Sequence, residues 1–312
     1  MSVNKAMWSN RGNAGFHLDY KNDIMYAFYG THDGSYIANN VSIVSLNDMT
    51  SQTITIPATN AHVSCARNGN IIYTVASYPN VKMLEFNINT NTSELGAIFP
   101  SGFGDSMLRS QVWNAELCVY DGHILIPCML YKSGVSNSDF MALVKYNIAT
   151  KTFTNSYVKL FDKTSGTWIP GMQLQGDIAY CMSYTGTTTL NIHAINLKTN
   201  TISTKTVSNV PSRISTYNKI VNTNGEYPGK LFLHSSRTRS TNYPCEFGIS
   251  VIDIASSKLT YTEDLIQLDG AKDLTNTPYL WKHHLLSGGG YETSSATLNL
   301  TKIGYIYPHI FE

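Results

Sequence analysis

Along residues 143–153, apolar and polar positions alternate, break at an Asn, cross a short polar turn and resume alternating. The stretch reads Leu143-Val144-Lys145-Tyr146-Asn147-Ile148-Ala149-Thr150-Lys151-Thr152-Phe153. A period of two places successive side chains on opposite faces of a strand, so the stretch predicts a hairpin bent just after Asn147. The same design occurs at 43–54, 83–95, 192–202 and 249–259, with a worn copy at 297–303. Its anchors are Asn47, Asn87, Asn147, Asn196 and Asp253, with Asn299 as a sixth candidate. They recur at roughly 40–60 residues, the span of one four-stranded propeller blade with variable loops. Helical periodicity is almost absent.

Two further apolar runs precede each hairpin, so every unit reads as four strands, A to D from inside outwards. They fall at 14–20, 24–29, 41–46 and 52–56; then 62–66, 71–76, 82–87 and 94–98; then 111–120, 124–131, 140–147 and 153–160. The fourth and fifth units read 168–174, 178–184, 190–196, 202–207 and 214–221, 230–234, 247–253, 259–265. The remainder supplies 279–286 and strands through 296–307, which leaves the last unit incomplete. Pairing between chain ends removes exposed sheet edges, so residues near Met7 and Trp8 are expected to complete it. The expectation is an all-β chain forming a single β-propeller domain over residues 1–312. Six four-stranded blades are expected, with five as the alternative, in a ring closed by the N- and C-terminal strands.

The recurring pattern apolar-x-apolar-Asn-[Ile/Leu]-x-Thr-x-[Thr/Lys] resembles the outer hairpin of Kelch-like propellers. It is carried by Lys145-Tyr146-Asn147-Ile148-Ala149-Thr150-Lys151-Thr152 and by His193-Ala194-Ile195-Asn196-Leu197-Lys198-Thr199-Asn200-Thr201. The paired glycines of Kelch repeats are missing. The resemblance implies the fold; function has to come from the site, since propellers host binding modules and enzymes alike.

Loop lengths are the most informative signal. The A–B turns at 21–23, 68–70, 121–123 and 175–177 are tight, and the C–D turns are equally short. Length concentrates in B–C loops at 30–40, 132–139 and 235–246, and in D–A loops at 99–110, 161–167 and 268–277. All the elaboration thus falls on one face, the usual location of function on a rigid scaffold. Candidate ligand-binding residues there are Tyr29, His32, Tyr36, Phe103, Arg109, Trp168, Arg237, Arg239, Tyr243 and Trp281. Aromatic faces beside amide and guanidinium groups suit sugar rings, whose CH faces pack on aromatics while their hydroxyls take polar bonds. The competing reading of Trp113, Trp168 and Trp281 is packing between blades.

Composition narrows the partners. Charged residues make up 14% of the 312 and the formal net charge is +1, against about 25% charged in average chains. Binding to duplex phosphates needs clustered cations, so no nucleic-acid partner is expected. No apolar run resembles a signal peptide or reaches the roughly 20 residues of a membrane helix. No membrane insertion is expected, and synthesis in the cytoplasm is. The five cysteines contain no C-x-x-C pair and read as buried thiols. A Tyr/Asn/Thr-rich, charge-poor, all-β chain also resembles bacteriophage tail and receptor-binding proteins. That implies a host-surface receptor or another virion protein as partner and a virion-associated location.

Catalytic signals are weaker. Glycoside hydrolysis needs two carboxyl groups about 5–10 Å apart. Asp33, Asp105, Asp162, Asp269, Asp273 and Glu246 lie in the long loops, so a glycan-cleaving hydrolase is the alternative function. Lys282-His283-His284 has no H-x-H or C-x-x-C companion, so neither metal nor cofactor is expected. P-loop, dinucleotide-binding and G-x-S-x-G motifs do not occur. The leading expectation is a non-enzymatic module that binds a glycan or protein surface through the B–C/D–A loops.

Overall fold

A computed structural model describes residues 3–9, 15–31, 37–60, 62–76, 82–103, 107–112, 117–136, 138–163, 167–186, 189–207, 210, 218–238, 245–268, 279–282, 284–288 and 297–305. Among them there is no α-helix. After β1 (Val3–Ser9), the unit Gly12–Gly166 holds three antiparallel sheets. The first is β2 (Gly15–Asp19), β3 (Ile24–Thr31), β4 (Ile37–Ser45) and β5 (Ser51–Asn60). The second is β6 (His62–Asn68), β7 (Ile71–Ala76), β8 (Lys82–Asn87) and β9 (Thr92–Ile98). The third runs β10 (Gly102–Phe103), β11 (Met107–Val112), β13 (His123–Lys132), β14 (Phe140–Asn147), β15 (Thr152–Asp162), with β12 (Cys118–Tyr120) also on β13.

The other unit joins Met1–Arg11 to Thr167–Glu312. Its sheets are β16 (Thr167–Gln175) to β19 (Thr201–Val207) through β17 (Ile178–Thr185) and β18 (Thr189–Asn196). Next come β20 (Asn218–Ile220), β21 (Lys230–Thr238), β22 (Cys245–Asp253) and β23 (Lys258–Leu268). The last sheet has the order β1, β26 (Thr297–Tyr305), β25 (His284–Gly288), β24 (Tyr279–Trp281). Ala6 pairs with Asn299 and Trp8 with Leu298, so the N-terminal strand does complete the C-terminal sheet. Five sheets of four strands and one of six make up the described strands, and the architecture is that of a β-propeller.

The core explains why the strands read as near-continuous apolar runs. Ile124, Ile126, Cys128 and Leu130, alternate residues of β13, pack on one face against Tyr73, Val75 and Met83 of the second sheet. Leu125, between them, is buried as well. A second cluster sets Tyr26, Phe28 and Val41 of the first sheet against Ile72, Leu84 and Phe86 of the second. A third joins Ile169, Met182 and Ile192 to Ile220, Leu231 and Leu233. Apolar side chains therefore fill the seams between neighbouring sheets, each large one contributing about 1.5–3 kcal/mol. Cys65, Cys128 and Cys181 are buried in this material and Cys118 is half-buried.

Close packing forces glycine at Gly171, while at Gly96 a Cβ would meet its neighbours in ordinary contact. At Gly171 (φ +117°) an added Cβ would stand 2.6 Å from the Ile220 Cβ, inside the bulge between Ile169 and Gln173. At Gly96 a Cβ would stand 3.4 Å from the Tyr146 hydroxyl, which donates to the buried Glu85 carboxylate at 2.8 Å.

Three sequence expectations change. The inner strand expected at 111–120 is broken into β11 and β12, both on β13. The strand expected at 279–286 is instead a hairpin, with Trp281 opposite His284 and Lys282 at φ 45°. The worn hairpin at 297–303 is one unbroken strand, so Asn299 marks no turn. There the alternation continues through the Asn, and strand pairing on both sides prevails over the residue's turn preference.

Candidate functional site

Each sheet has two ends, and they are built differently. At the A–B/C–D end the recurrent Asn is an acceptor for its own turn. Asn87 Oδ1 accepts from Asn89 N at 2.9 Å, Asn147 Oδ1 from Thr150 N at 2.9 Å, Asn196 Oδ1 from Lys198 N at 3.0 Å and Asp253 Oδ1 from Ser256 N at 2.7 Å. Paired threonines follow, Thr90 with Thr92, Thr150 with Thr152 and Thr199 with Thr201, at 2.7–2.8 Å. The residue before the D strand is left-handed: Asn91, Lys151, Asn200 and Ser257 lie at φ 54–55°.

The Ile or Leu after the anchor has its own task. Ile88 N donates to Asn70 O, Ile148 N to Gly122 O, Leu197 N to Asp177 O and Ile254 N to Gly229 O, at 2.8–3.0 Å. The C–D turn of each of these sheets is thereby bonded to the A–B turn of the same sheet. In the first sheet Leu46 N donates to Asp23 O at 2.9 Å, which moves the anchor from Asn47 to Ser45. Asp48 takes over as turn acceptor, receiving Thr50 N at 3.0 Å, and this bond leads the interactions that hold its pKa down at about 2.

Neighbouring sheets are tied at the same end. Arg67 of β6 pairs with Asp19 of β2 at 2.5 Å. Burial opposes ionisation of Asp19, yet hydrogen bonds from Asn22 and Arg67 keep its pKa below the usual value. Lys151 binds Glu85 at 2.9 Å and also Glu94, and these bonds raise its pKa. In the other unit Lys205 Nζ donates to Ile254 O and Ala255 O, each at 3.2 Å. Gln173 Nε2 donates to the buried Thr223 hydroxyl at 3.1 Å.

One connection at this end departs from the expected pattern. Residues 221–229 of the fifth sheet form a long A–B connection, pinned by Gly229 N to Gln175 Oε1 (2.9 Å) and Leu280 N to Asn222 O (2.9 Å). Elaboration is therefore not confined to one end. The signal was the turn composition Asn222-Thr223-Asn224-Gly225.

At the B–C/D–A end the strands run further than alternation suggested, because their last residues are polar. Thr31 pairs with Ile37 and Tyr29 with Asn40, reducing the first B–C loop from 30–40 to 32–36. Arg237 pairs with Glu246 and Thr238 with Cys245, which leaves 239–244 of the expected 235–246. Within the D–A loop expected at 99–110, Phe103 pairs with Met107, and Arg109 pairs with Leu130.

The third B–C loop is the one described throughout most of its length. Ser138 Oγ accepts from Lys132 N at 2.9 Å and donates to Val135 O at 2.8 Å. Val135 is left 51% exposed at the tip. Lys163, at the start of the following D–A loop, bonds Asp139 through both its backbone N–H (2.9 Å) and its Nζ (3.0 Å).

The ten candidate ligand residues divide into three groups. Phe103, Trp168 and Trp281 are each 5% exposed. Phe103 packs edge-on against Phe99 at 5.9 Å, and Lys282 Nζ lies 5.0 Å from the Trp281 ring. Tyr29, Arg109 and Arg237 lie in strands whose backbone alone is described at those positions. His32, Tyr36, Arg239 and Tyr243 lie outside the described residues. Of the loop carboxylates, Asp162 pairs with Lys159 at 2.6 Å, both half exposed. Asp33, Asp105, Asp269 and Asp273 are outside the described residues, as is the side chain of Glu246. Among the described residues no three His, Cys, Asp or Glu side chains gather as a metal site.

One polar cluster had no sequence signal. Across β17, β18 and β19, Ser183 Oγ bonds His193 Nε2 at 2.8 Å, and His193 Nδ1 bonds Thr204 Oγ1 at 3.0 Å. Burial lowers the His193 pKa to about 4. With Thr204 where a triad has a carboxylate, and Ser183 buried, the cluster reads as a satisfied core polar group.

No family model matches the chain, and no curated protein matches it. Among solved structures, U3-55K superposes with a TM-score of 0.56 at 9% identity, covering 97% of this chain and 98% of that one. The computationally designed Ika8 protein gives 0.44 at 10% identity, covering 96% and 98%. The dihydro-heme d1 dehydrogenase NirN, in complex with DHE, gives 0.45 at 10%, covering 90% and 52%. At such identities likeness speaks for fold alone. The class is therefore an all-β propeller.

Proposed function

We propose that this chain is a non-enzymatic binding module of the Kelch-like kind, recognising a glycan or protein surface through its B–C and D–A loops. The observation that carries the reading is the difference between the ends: hydrogen bonds repeated sheet after sheet fix the turn end. A rigid scaffold of this sort is what lets variable loops at the other end be held in place for recognition. Tyr29, His32, Tyr36, Arg109, Arg237, Arg239 and Tyr243 would contact the ligand, and Phe103, Trp168 and Trp281, buried as they are, would support them from behind. The Tyr/Asn/Thr-rich, charge-poor composition favours a phage tail or other virion setting, where the ligand is a host-surface receptor.

The test is binding of the purified chain to a glycan array and to bacterial envelope preparations. Saturable binding is expected, reduced at least about tenfold by Tyr36→Ala or Tyr243→Ala, as aromatic anchors commonly are. Binding unchanged in both variants overturns the reading.

A further inference from the structure

Every sheet ends in an outer strand, and an outer strand is a template for further pairing unless something blunts it. Five of the six outermost pairings of the described strands contain a register shift: β1 on β26, β5 on β4, β9 on β8, β15 on β14 and β23 on β22. Such bulges bend the edge strand and turn it away from partners. The exception is β19, which pairs with β18 in unbroken register from Leu190↔Val207 to Asn196↔Thr201. It contains no proline, and Thr201 to Thr206 are all exposed.

A charged side chain is the other common protection for an edge. The one charge on β19 is Lys205, and its ammonium is turned onto the carbonyls of Ile254 and Ala255 at 3.2 Å. The hydroxyls of Thr204 and Thr206 face inward to His193 and Asn191. What remains outward is a regular, β-prone strand edge whose charge is already engaged.

We propose that β19 is a self-association edge, which pairs antiparallel with β19 of a second copy about a two-fold axis at Thr204. A two-fold contact uses the same patch on both partners. Full overlap of Thr201–Val207 about its midpoint sets Thr204 opposite Thr204, Ser203 opposite Lys205, and Ile202 opposite Thr206. Threonine pairs favour antiparallel neighbours, whereas like charges directly opposite disfavour them. In this register no charge meets its like, and that selects a second copy as occupant. The contact is small, so association is weak and concentration-dependent.

Sedimentation velocity of the full chain over a wide concentration range tests the proposal, with Ser203→Lys and Ser203→Glu as paired variants. Ser203 is exposed, so neither variant disturbs the core. Expected are a reversible dimer, weakened about tenfold by Ser203→Lys, which sets two lysines opposite two others, and strengthened by Ser203→Glu. A wild-type chain that stays monomeric at the highest concentration overturns the proposal, as does a dimer that both variants shift in the same direction or leave unchanged.

Discussion

The two ends of the same strands obey different rules. At the turn end, Asn147 and its counterparts Asn87, Asn196 and Asp253 close the C–D turns of their sheets, and the next residue bonds each of those turns to the A–B turn of its own sheet. At the loop end, the third sheet shows a serine clasp under an exposed valine and Lys163 bonded to Asp139. The first end spends its sequence on geometry, and repeats because the geometry repeats. The other end is free to vary, because its strands are already paired up to Thr31 and Thr238 before the loops begin. Changes to the scaffold and turn end should thus cost stability and spare binding, and changes to the loops should do the reverse.

The largest effect of a single substitution is expected at Gly171. Its left-handed φ and the 2.6 Å approach to Ile220 leave no room for a Cβ, so Gly171→Ala should cost about 3 kcal/mol or more in urea unfolding. Acid comes next. His193 and His234 are buried and neutral, their pKa values lowered to about 4 and about 3 from 6.5, first by burial and for His234 also by Lys219. The unfolded chain takes up protons first. Stability is full above pH 6.5 and falls as pH drops from 6.5 towards 4, by about 1.4 kcal/mol per pH unit per histidine. Chemical unfolding at stepped pH values measures the slope, and His193→Gln should make it shallower.

Tyr146→Phe should cost about 2 kcal/mol, because it strips a hydroxyl donor from the buried Glu85 carboxylate. Ser257→Gly should act in the opposite sense. Ser257 holds φ 55° in an exposed turn, a conformation that glycine adopts without strain, so a gain of about 0.5–1 kcal/mol is expected in the same unfolding assay. Smallest of all is the stability change at Tyr36 or Tyr243, under about 0.5 kcal/mol on conversion to Ala.

The sequence was legible wherever a residue type had one local task. Alternation located the strands, and Asn147, Asn196 and Asp253 located their turns, because an acceptor at a bend has a fixed partner a few residues ahead. The closing role of β1 followed from the incomplete last sheet. Illegible were features set by contacts distant in sequence, such as Arg67 with Asp19 and Lys151 with Glu85. Loop boundaries failed for a related reason. Arg237 and Thr31 look like loop residues by polarity, yet backbone pairing extends the strands to include them. Trp168 and Trp281, which the sequence leaves open between packing among blades and ligand contact, are each 5% exposed.

The most direct measurement compares two triple variants of the full chain for both binding and melting temperature. One changes Tyr36, Arg239 and Tyr243 to Ala; the other changes Asn87, Asn147 and Asn196 to Ala. The account predicts that the first loses glycan or envelope binding at an unchanged melting temperature, and that the second melts several degrees earlier while binding as the wild type does below its transition. Retained binding in the first variant, or lost binding in a still-folded second, would contradict it.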